Sequence, residues 1–215
     1  MPATARRRGA VGFTLIEVAV VLAVIVTLAL VLTPSIANSI TDARMARARN
    51  DCHTIANGIY QFFRDTGYFP AWRAAPSAAP GQAPGGANRL DVLVSQGSMP
   101  FEDAPSAWTT GRSGSLTDQL VTNAPGYPMR TPMTPFGWNG PYFSSELAAD
   151  PWGRRYIVNI GAIDLSPGAV TAAGQPKSAV WVLSAGPNGI IETPFAASIL
   201  ASARPGGDDI GTRIQ

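Results

Sequence analysis

Histidine and cysteine are nearly absent, with one of each in 215 residues. A single cysteine cannot build an intramolecular disulfide framework or a cysteine-clustered metal site, and one histidine leaves little from which to assemble a catalytic triad. Charge is scarce as well. Lys, Arg, Asp and Glu make up 14% of the chain, against about 25% in an ordinary soluble domain. No Walker loop, GxGxxG or CxxC occurs, so the phosphate, dinucleotide and dithiol chemistries of those motifs have no anchor. No repeat of fixed period is present, which sets solenoids and propellers aside. What the chain has in quantity is apolar side chains, 46%, together with 22 glycines and 19 prolines. That is too apolar for a disordered protein and too irregular for a coiled coil or collagen. The length suits one domain with a real core and an appended segment.

The missing charge is concentrated in one place. Val18 to Thr41 carries no charged side chain, and most of its residues are Ala, Val, Ile or Leu. A helix over that run spans ~36 Å, more than the ~30 Å hydrocarbon core of a bilayer. Arg6, Arg7 and Arg8 precede it, and no acidic residue comes before Glu17. Basic residues ahead of an apolar run hold that end in the cytoplasm, so the C-terminal body is expected on the far side of the membrane. A buried core helix is the bland alternative. A cleaved secretory signal, with Ala37 or Ala43 at its cleavage site, is the other. Against it stand the length of the run and Glu17 at its start, where a cleaved signal has no use for an acid. An ionisable group at membrane depth costs a few kcal/mol and points to function.

Gly12-Phe13-Thr14-Leu15-Ile16-Glu17, behind a basic leader and ahead of an apolar helix, resembles the class III signal of type IV pilins and type II secretion pseudopilins. The resemblance implies that a prepilin peptidase cuts after Gly12 and methylates the new N-terminal Phe13. It implies that the helix is retained and that Glu17 becomes the fifth residue of the mature chain, a position the family keeps acidic. Cleavage places a positive amine in the same apolar layer as the Glu17 carboxylate, and opposite charge is what makes a buried charge tolerable. Phe13 and Glu17 are four residues apart, so a pair within one helix is possible. The favoured reading, implied by the resemblance, pairs the amine of an incoming subunit with the carboxylate of its neighbour and so sets the stagger of a filament. Pro34 lacks an N–H to continue the ladder and is expected to kink or loosen the helix. Pilin relatives often carry a proline at this place.

Beyond the membrane run, Ile36, Ile40, Ala43, Ala48, Cys52, Ile55, Ile59 and Phe62 recur at spacings near three and four, an apolar stripe. Asp42, Arg44, Arg47, Arg49, Asp51, Arg64 and Asp65 fill other faces, and Gly67 with Pro70 supplies the stop. One helix from about Phe13 to Thr66 is expected, half anchor and half amphipathic spine. Cys52 and His53 are adjacent, so their side chains diverge by about 100° and do not make a catalytic pair. Nothing else in the chain assembles a catalytic constellation, and the protein is not read as an enzyme.

From Phe69 to Pro141 prolines punctuate the chain, and such a segment is expected to hold neither a long helix nor a central strand. Only Arg89–Ser95 looks ordered, as a short helix or strand. Trp72, Trp108, Tyr127, Phe136 and Trp138 suggest a loop anchored by aromatics. Asp150-Pro151-Trp152-Gly153 reads as a turn, Tyr156–Ile160 and Ala179–Ser184 as strands, and Asp164–Lys177 as a hairpin loop. The fold expected is α+β, type IV pilin-like: a long N-terminal helix packed on two or three antiparallel strands, a small sheet with extended loops. Its divisions are a leader at 1–12, a transmembrane assembly helix at 13–36 and an amphipathic spine at 37–66. A Pro/Gly-rich variable region at 67–137 and a β body at 138–215 complete it.

Trp138-Asn139-Gly140-Pro141-Tyr142 leading to Asp150-Pro151-Trp152-Gly153 resembles the major pseudopilin of type II secretion systems more closely than a generic pilin. So do Ser184-Ala185-Gly186-Pro187-Asn188-Gly189 and Gly206-Gly207-Asp208-Asp209-Ile210. That resemblance implies one structural Ca²⁺, with the Leu183 carbonyl, the Asn188 side chain and Asp209 as candidate ligands and Asp208 close by. Hard oxygen donors suit Ca²⁺. Asn188 stands where an acid is usual, and Ile190–Arg204 lengthens the loop. Asn188-Gly189 as a plain hairpin turn and Asp208-Asp209 as an exposed tail is the alternative. The function implied is a structural subunit of a periplasmic pseudopilus, anchored by a single pass in the inner membrane. Its partners are then copies of itself, other pseudopilins, the prepilin peptidase and the inner-membrane assembly platform. A type IV pilin of a surface fibre, for adhesion, motility or DNA uptake, is the second reading. The formal net charge is +2. Without Arg6, Arg7 and Arg8 the balance is 13 basic against 14 acidic side chains. The basicity is the leader's, so nucleic acid is not an expected partner.

Overall fold

The computed structural model describes residues 12–74, 76, 86–102, 104–163, 177–199 and 204–215. The basic leader and nearly all of the expected 164–177 hairpin lie outside them. The chain divides into two units, Met1–Ala43 and Arg44–Gln215. Helix α1 (Leu15–Thr66) contributes to both.

In the first unit, Thr14 caps α1: the Glu17 N–H donates to the Thr14 carbonyl at 3.1 Å and to Thr14 Oγ1 at 3.3 Å. Thr-x-x-Glu is the capping-box spacing, and an acid in the first turn complements the positive end of the helix dipole. The helix therefore begins at Leu15, leaving Phe13 and Thr14 non-helical. It is assigned without interruption through Pro34. Every residue from Gly12 to Arg44 is exposed, including Leu15, Leu30 and Val31. The apolar part of α1 has a mean hydropathy of 3.0 and is long and apolar enough to cross a membrane.

The second unit is built around a five-stranded sheet: β1 (Val92–Val94), β2 (Ser113–Ser115), β3 (Ile157–Val158), β4 (Trp181–Ser184) and β5 (Ile210–Arg213), ordered β2-β1-β3-β4-β5. The architecture is α+β, as the sequence implied, but the sheet is larger than two or three strands and is mixed rather than antiparallel. β1 and β2 run parallel, Val92 opposite Ser113, while the other pairings are antiparallel. Parallel neighbours need a crossover. Residues 95–112, carrying the short helix α2 (Ala107–Thr110), supply it. β1 also corrects the expectation that the proline-rich stretch holds no central strand, since it lies between β2 and β3. It occupies a proline-free window between Pro84 and Pro100, so no ladder donor is missing.

Strand lengths have local causes. The expected Tyr156–Ile160 strand stops at Val158 because fully buried Asn159 takes over the ladder with its side chain. Its Oδ1 accepts the Trp181 N–H at 2.7 Å, and its Nδ2 donates to the Ala179 and Phe195 carbonyls at 2.9 and 2.8 Å. A 3₁₀ turn, Ile160–Ala162, follows.

Both faces of the central strands β1, β3 and β4 are buried. Leu93, Val158, Val180 and Val182 point to the face shared with Cys52, Ile55, Ile59 and Phe62 of α1. Val92, Val94, Ile157, Trp181 and Leu183 point to the other, where Trp108, Ile191 and Phe195 cover them. This period-two division explains why Val92-Leu93-Val94 and Trp181-Val182-Leu183 are apolar without alternation. The helix stripe begins at Ala48 rather than Ile36, because Ile36, Ile40 and Ala43 are exposed. β5 and the residue after it lie along α1 through Cys52 Sγ to the Ile210 carbonyl, 3.6 Å, and Tyr60 OH to the Ile214 carbonyl.

Phe62 is fully buried and meets Tyr127 edge-on at a centroid distance of 4.8 Å and Tyr142 at 5.6 Å. Phe62→Ala is expected to destabilise Arg44–Gln215 by about 3–5 kcal/mol, measured by denaturant unfolding. A loss below about 1 kcal/mol would contradict the placement of α1 on the sheet.

Candidate functional site

Two regions carry the residues singled out by the sequence. At the start of α1, Gly12 and Phe13 are exposed just ahead of the first helical turn. Phe13, Glu17, Val18, Val21 and Leu22 line one open groove, so Phe13 and Glu17 share a side of the chain. Glu17 is the sole acid in the apolar run, and its N–H is held by Thr14. The Thr14-x-x-Glu17 spacing was the overlooked local signal, since it gives Glu17 a place in the helix cap besides any role in pairing.

The second region lies beyond the end of β4. Residues 186–189 form a turn closed by the Gly189 N–H on the Ala185 carbonyl at 3.1 Å, and Gly186 and Gly189 have φ values of +60° and +74°. A Cβ at Gly186 would lie 2.3 Å from the Asp208 carbonyl, so glycine lets the two loops touch there. The Asn188 N–H donates to Asp208 Oδ2 at 3.0 Å, and Asn188 Oδ1 accepts the Ile190 N–H at 2.7 Å. Thus Asn188-Gly189 does make a turn, while Asp208-Asp209 is no exposed tail: Asp209 is 8% exposed and leads directly into β5.

Glu192 joins this group, and the sequence analysis missed it. Its Oε2 accepts the Asp208 N–H at 3.0 Å and an Asn188 amide hydrogen at 3.3 Å. Asp209 Oδ2 accepts three donors, the Glu192 N–H, the Thr193 N–H and the Thr193 hydroxyl, at 3.0, 2.7 and 2.6 Å. Burial is the main cause that raises the Asp209 carboxyl above the usual range, with the Glu192 charge adding to it. Asp208 Oδ1 and Asp209 Oδ1 are buried and accept nothing. Leu183 lies inside β4 opposite Ile157 and Gly211. Hence Asn188, Glu192, Asp208 and Asp209 converge, and Leu183 belongs to the sheet. Among the described residues no three His, Cys, Asp or Glu side chains already form a metal-holding set. The two orphaned carboxylate oxygens are nevertheless the donor type a hard cation takes.

Asp150-Pro151-Trp152-Gly153 is the expected turn, and it clamps the sheet. Asp150 is 4% exposed, accepts the Trp152 and Arg154 N–H groups with Oδ1, and takes the Ser184 hydroxyl on Oδ2 at 2.6 Å. Cys52 and His53 fall on different faces of α1, the thiol fully buried and the imidazole exposed. Burial is the main cause that pushes the Cys52 thiol up from 9.0 to about 12, with Asp51 adding to it. Burial and the Asp51 carboxylate likewise raise the Tyr156 hydroxyl, which donates to Asp51 Oδ2 at 2.8 Å. No family model matches the chain, and no curated protein or solved structure matches it.

A thiol held neutral when folded stabilises the fold below its unfolded pKa, and that contribution is lost as pH rises through the folded value. The stability of Arg44–Gln215 is therefore expected to fall between about pH 9 and 12, less steeply in Cys52→Ala. Denaturant titrations at stepped pH measure this, and maleimide should label Cys52 at pH 8 only after unfolding.

Proposed function

We propose that this chain is a structural subunit of a type II secretion pseudopilus, processed by a prepilin peptidase and polymerised through the first part of α1. The observation that carries the reading is the exposed apolar surface of α1 from Leu15 to Ile40, with a single acid, Glu17, near its start. So much apolar surface has to be covered by lipid or by other helices. In lipid the unpaired acid is costly; in a bundle of identical helices it has a cationic partner to meet, the amine of Phe13 created by cleavage after Gly12. Exposed, non-helical Gly12 and Phe13 suit access by a peptidase. The body would then lie in the periplasm, held by one pass through the inner membrane, with other pseudopilins and the assembly platform as partners. A surface pilin for adhesion, motility or DNA uptake shares this N-terminal logic; the Asp150-Pro151-Trp152-Gly153 and Gly207-Asp208-Asp209-Ile210 stretches favour the secretion reading.

Glu17→Leu is expected to leave cleavage after Gly12 intact and to abolish fibres, scored by immunoblot and by sheared-fibre yield. Normal assembly of Glu17→Leu would refute the pairing. A deletion strain losing exoprotein secretion while keeping surface fibres and motility supports the pseudopilus; the reverse pattern supports the pilin.

The body is proposed to take one structural Ca²⁺ at Asp208 and Asp209, with Asn188 and Glu192 adjoining. Two buried carboxylate oxygens without donors support this. A group whose folded pKa is raised stabilises most below its unfolded pKa, so ionised Asp209 costs stability at neutral pH, and a cation offsets that cost. Calcium is expected to raise the melting temperature of Arg44–Gln215 at pH 7, and Asp209→Asn to abolish the shift. No shift between saturating Ca²⁺ and chelator in the parent protein would rule the site out.

A further inference from the structure

An open groove of about 380 Å³ runs between the crossover and the chain after β4. Glu102, Trp108, Glu192 and Phe195 are among its lining residues, and no Lys or Arg is. The Phe195 ring meets Trp108 edge-on at 5.1 Å and is itself half-buried, while Trp108 is fixed by its indole N–H on the Thr193 carbonyl at 2.8 Å. The Glu102 carboxylate is held in place by the Ser106 N–H at 3.1 Å and by the Ser106 and Thr109 hydroxyls. Behind the Thr193 wall sits Asp209, 8% exposed and with Oδ1 lacking a donor, and half-buried Asp208 likewise has an Oδ1 without a donor. Four carboxylates, Glu102, Glu192, Asp208 and Asp209, thus gather here, and among the described residues none has an ion-pair partner. A divalent cation at the aspartates would still leave two of the four negative charges uncompensated.

The Arg154 guanidinium sits against Gly189 beside this group, outside the groove lining, and a separate basic stretch lies elsewhere in the same unit. Arg44, Arg47 and Arg49 are exposed on α1 between two acids, Asp42 and Asp51, of which Asp51 pairs with Arg47 at 3.5 Å. Arg44 and Arg49 are in none of the ion pairs among the described residues. One chain therefore carries an acidic groove with an aromatic wall and a separate basic stretch. Complementary patches at different places on one chain form a heterologous contact, which generates a helical filament when its rotation does not close into a ring.

We propose that the Glu102–Phe195 groove receives the Arg44–Arg49 stretch of α1 from a second copy of the chain, as the contact between bodies in the assembled fibre. A guanidinium lies over the Phe195 ring and between Glu102 and Glu192, combining cation–π and charge-assisted hydrogen bonding. This rests on the filament reading and adds to it a contact outside the membrane, one that sets which copy sits beside which.

The test uses the full-length chain in its membrane, with fibre yield and copy-to-copy cross-linking as readouts. Arg44→Glu with Arg49→Glu, and separately Glu102→Arg with Glu192→Arg, should each lower fibre yield about tenfold, the loss of roughly one strong ion pair. Combining all four changes should restore yield, which misfolding of either parent cannot mimic. Arg44→Cys should form a disulfide with Pro194→Cys across copies under mild oxidation, while Cys52 stays buried. Wild-type yield in the helix variant, no rescue in the combined variant, or no cross-link would each overturn the proposal. A basic partner protein as occupant gives that last result. Glu17→Leu run in parallel separates the two readings. If it abolishes fibres while the charge variants assemble normally, the groove proposal fails and the filament stands. If it assembles normally, the pairing within the filament fails, and the cross-link still decides the groove.

Discussion

Cys52, Ile55, Ile59 and Phe62 hold one stripe of α1 against Leu93, Val158, Val180 and Val182, and the described residues of Arg44–Gln215 pack around that contact. The sheet is narrow and its strands are short, so it cannot leave a face to solvent and still exclude water from the helix contact. The second face is therefore covered as well, by Trp108, Ile191 and Phe195 from the crossover and the chain after β4. Segments that look like irregular connections are in this sense a layer of the core. Asn159 and Asp150 hold that layer in register with their side chains, each buried and each satisfied by main-chain or hydroxyl partners. Buried polar groups of this kind stabilise only when fully paired, which explains why both sit where strands end and main-chain donors are left over.

The first part of α1 obeys the same rule by different means. Leu15 to Ile40 is as apolar as any core segment, but nothing within Met1–Ala43 covers it. In the proposed filament a bilayer or neighbouring helices supply the cover. Glu17 fits neither role alone, because lipid offers a carboxylate no counter-charge. In the proposed filament the same helix is anchor and joint at once. The acidic groove and the Arg44–Arg49 stretch then extend the idea to the body, with self-association written into charge as well as into apolar surface.

Much of this was legible in the order of residues. The charge-free run, the stop at Gly67, the β4 strand and the Asp150-Pro151 turn all rest on chemistry within a few residues, so local reading found them. The mixed sheet was not legible, because the parallel pairing of β1 with β2 depends on a crossover whose path is set by contacts far apart in sequence. The site was half legible. Asn188, Asp208 and Asp209 stood out as oxygen donors, yet Glu192 looked like one more charge in a long loop until the turn at Gly186–Gly189 brought it onto the Asp208 N–H. Leu183, near the loop in sequence, lies in β4 between two neighbouring strands.

By itself the sequence determined where α1 runs, which of its halves is uniformly apolar, and that no sulfur or imidazole cluster could form. Those properties follow from composition and from periods of three to four residues, which need no distant partner to be meaningful. Tertiary structure decided which face of each strand meets α1, which loops become core, and which carboxylates share a pocket. Those depend on side chains brought together from opposite ends of Arg44–Gln215, and only the closing of the sheet fixes which of them meet.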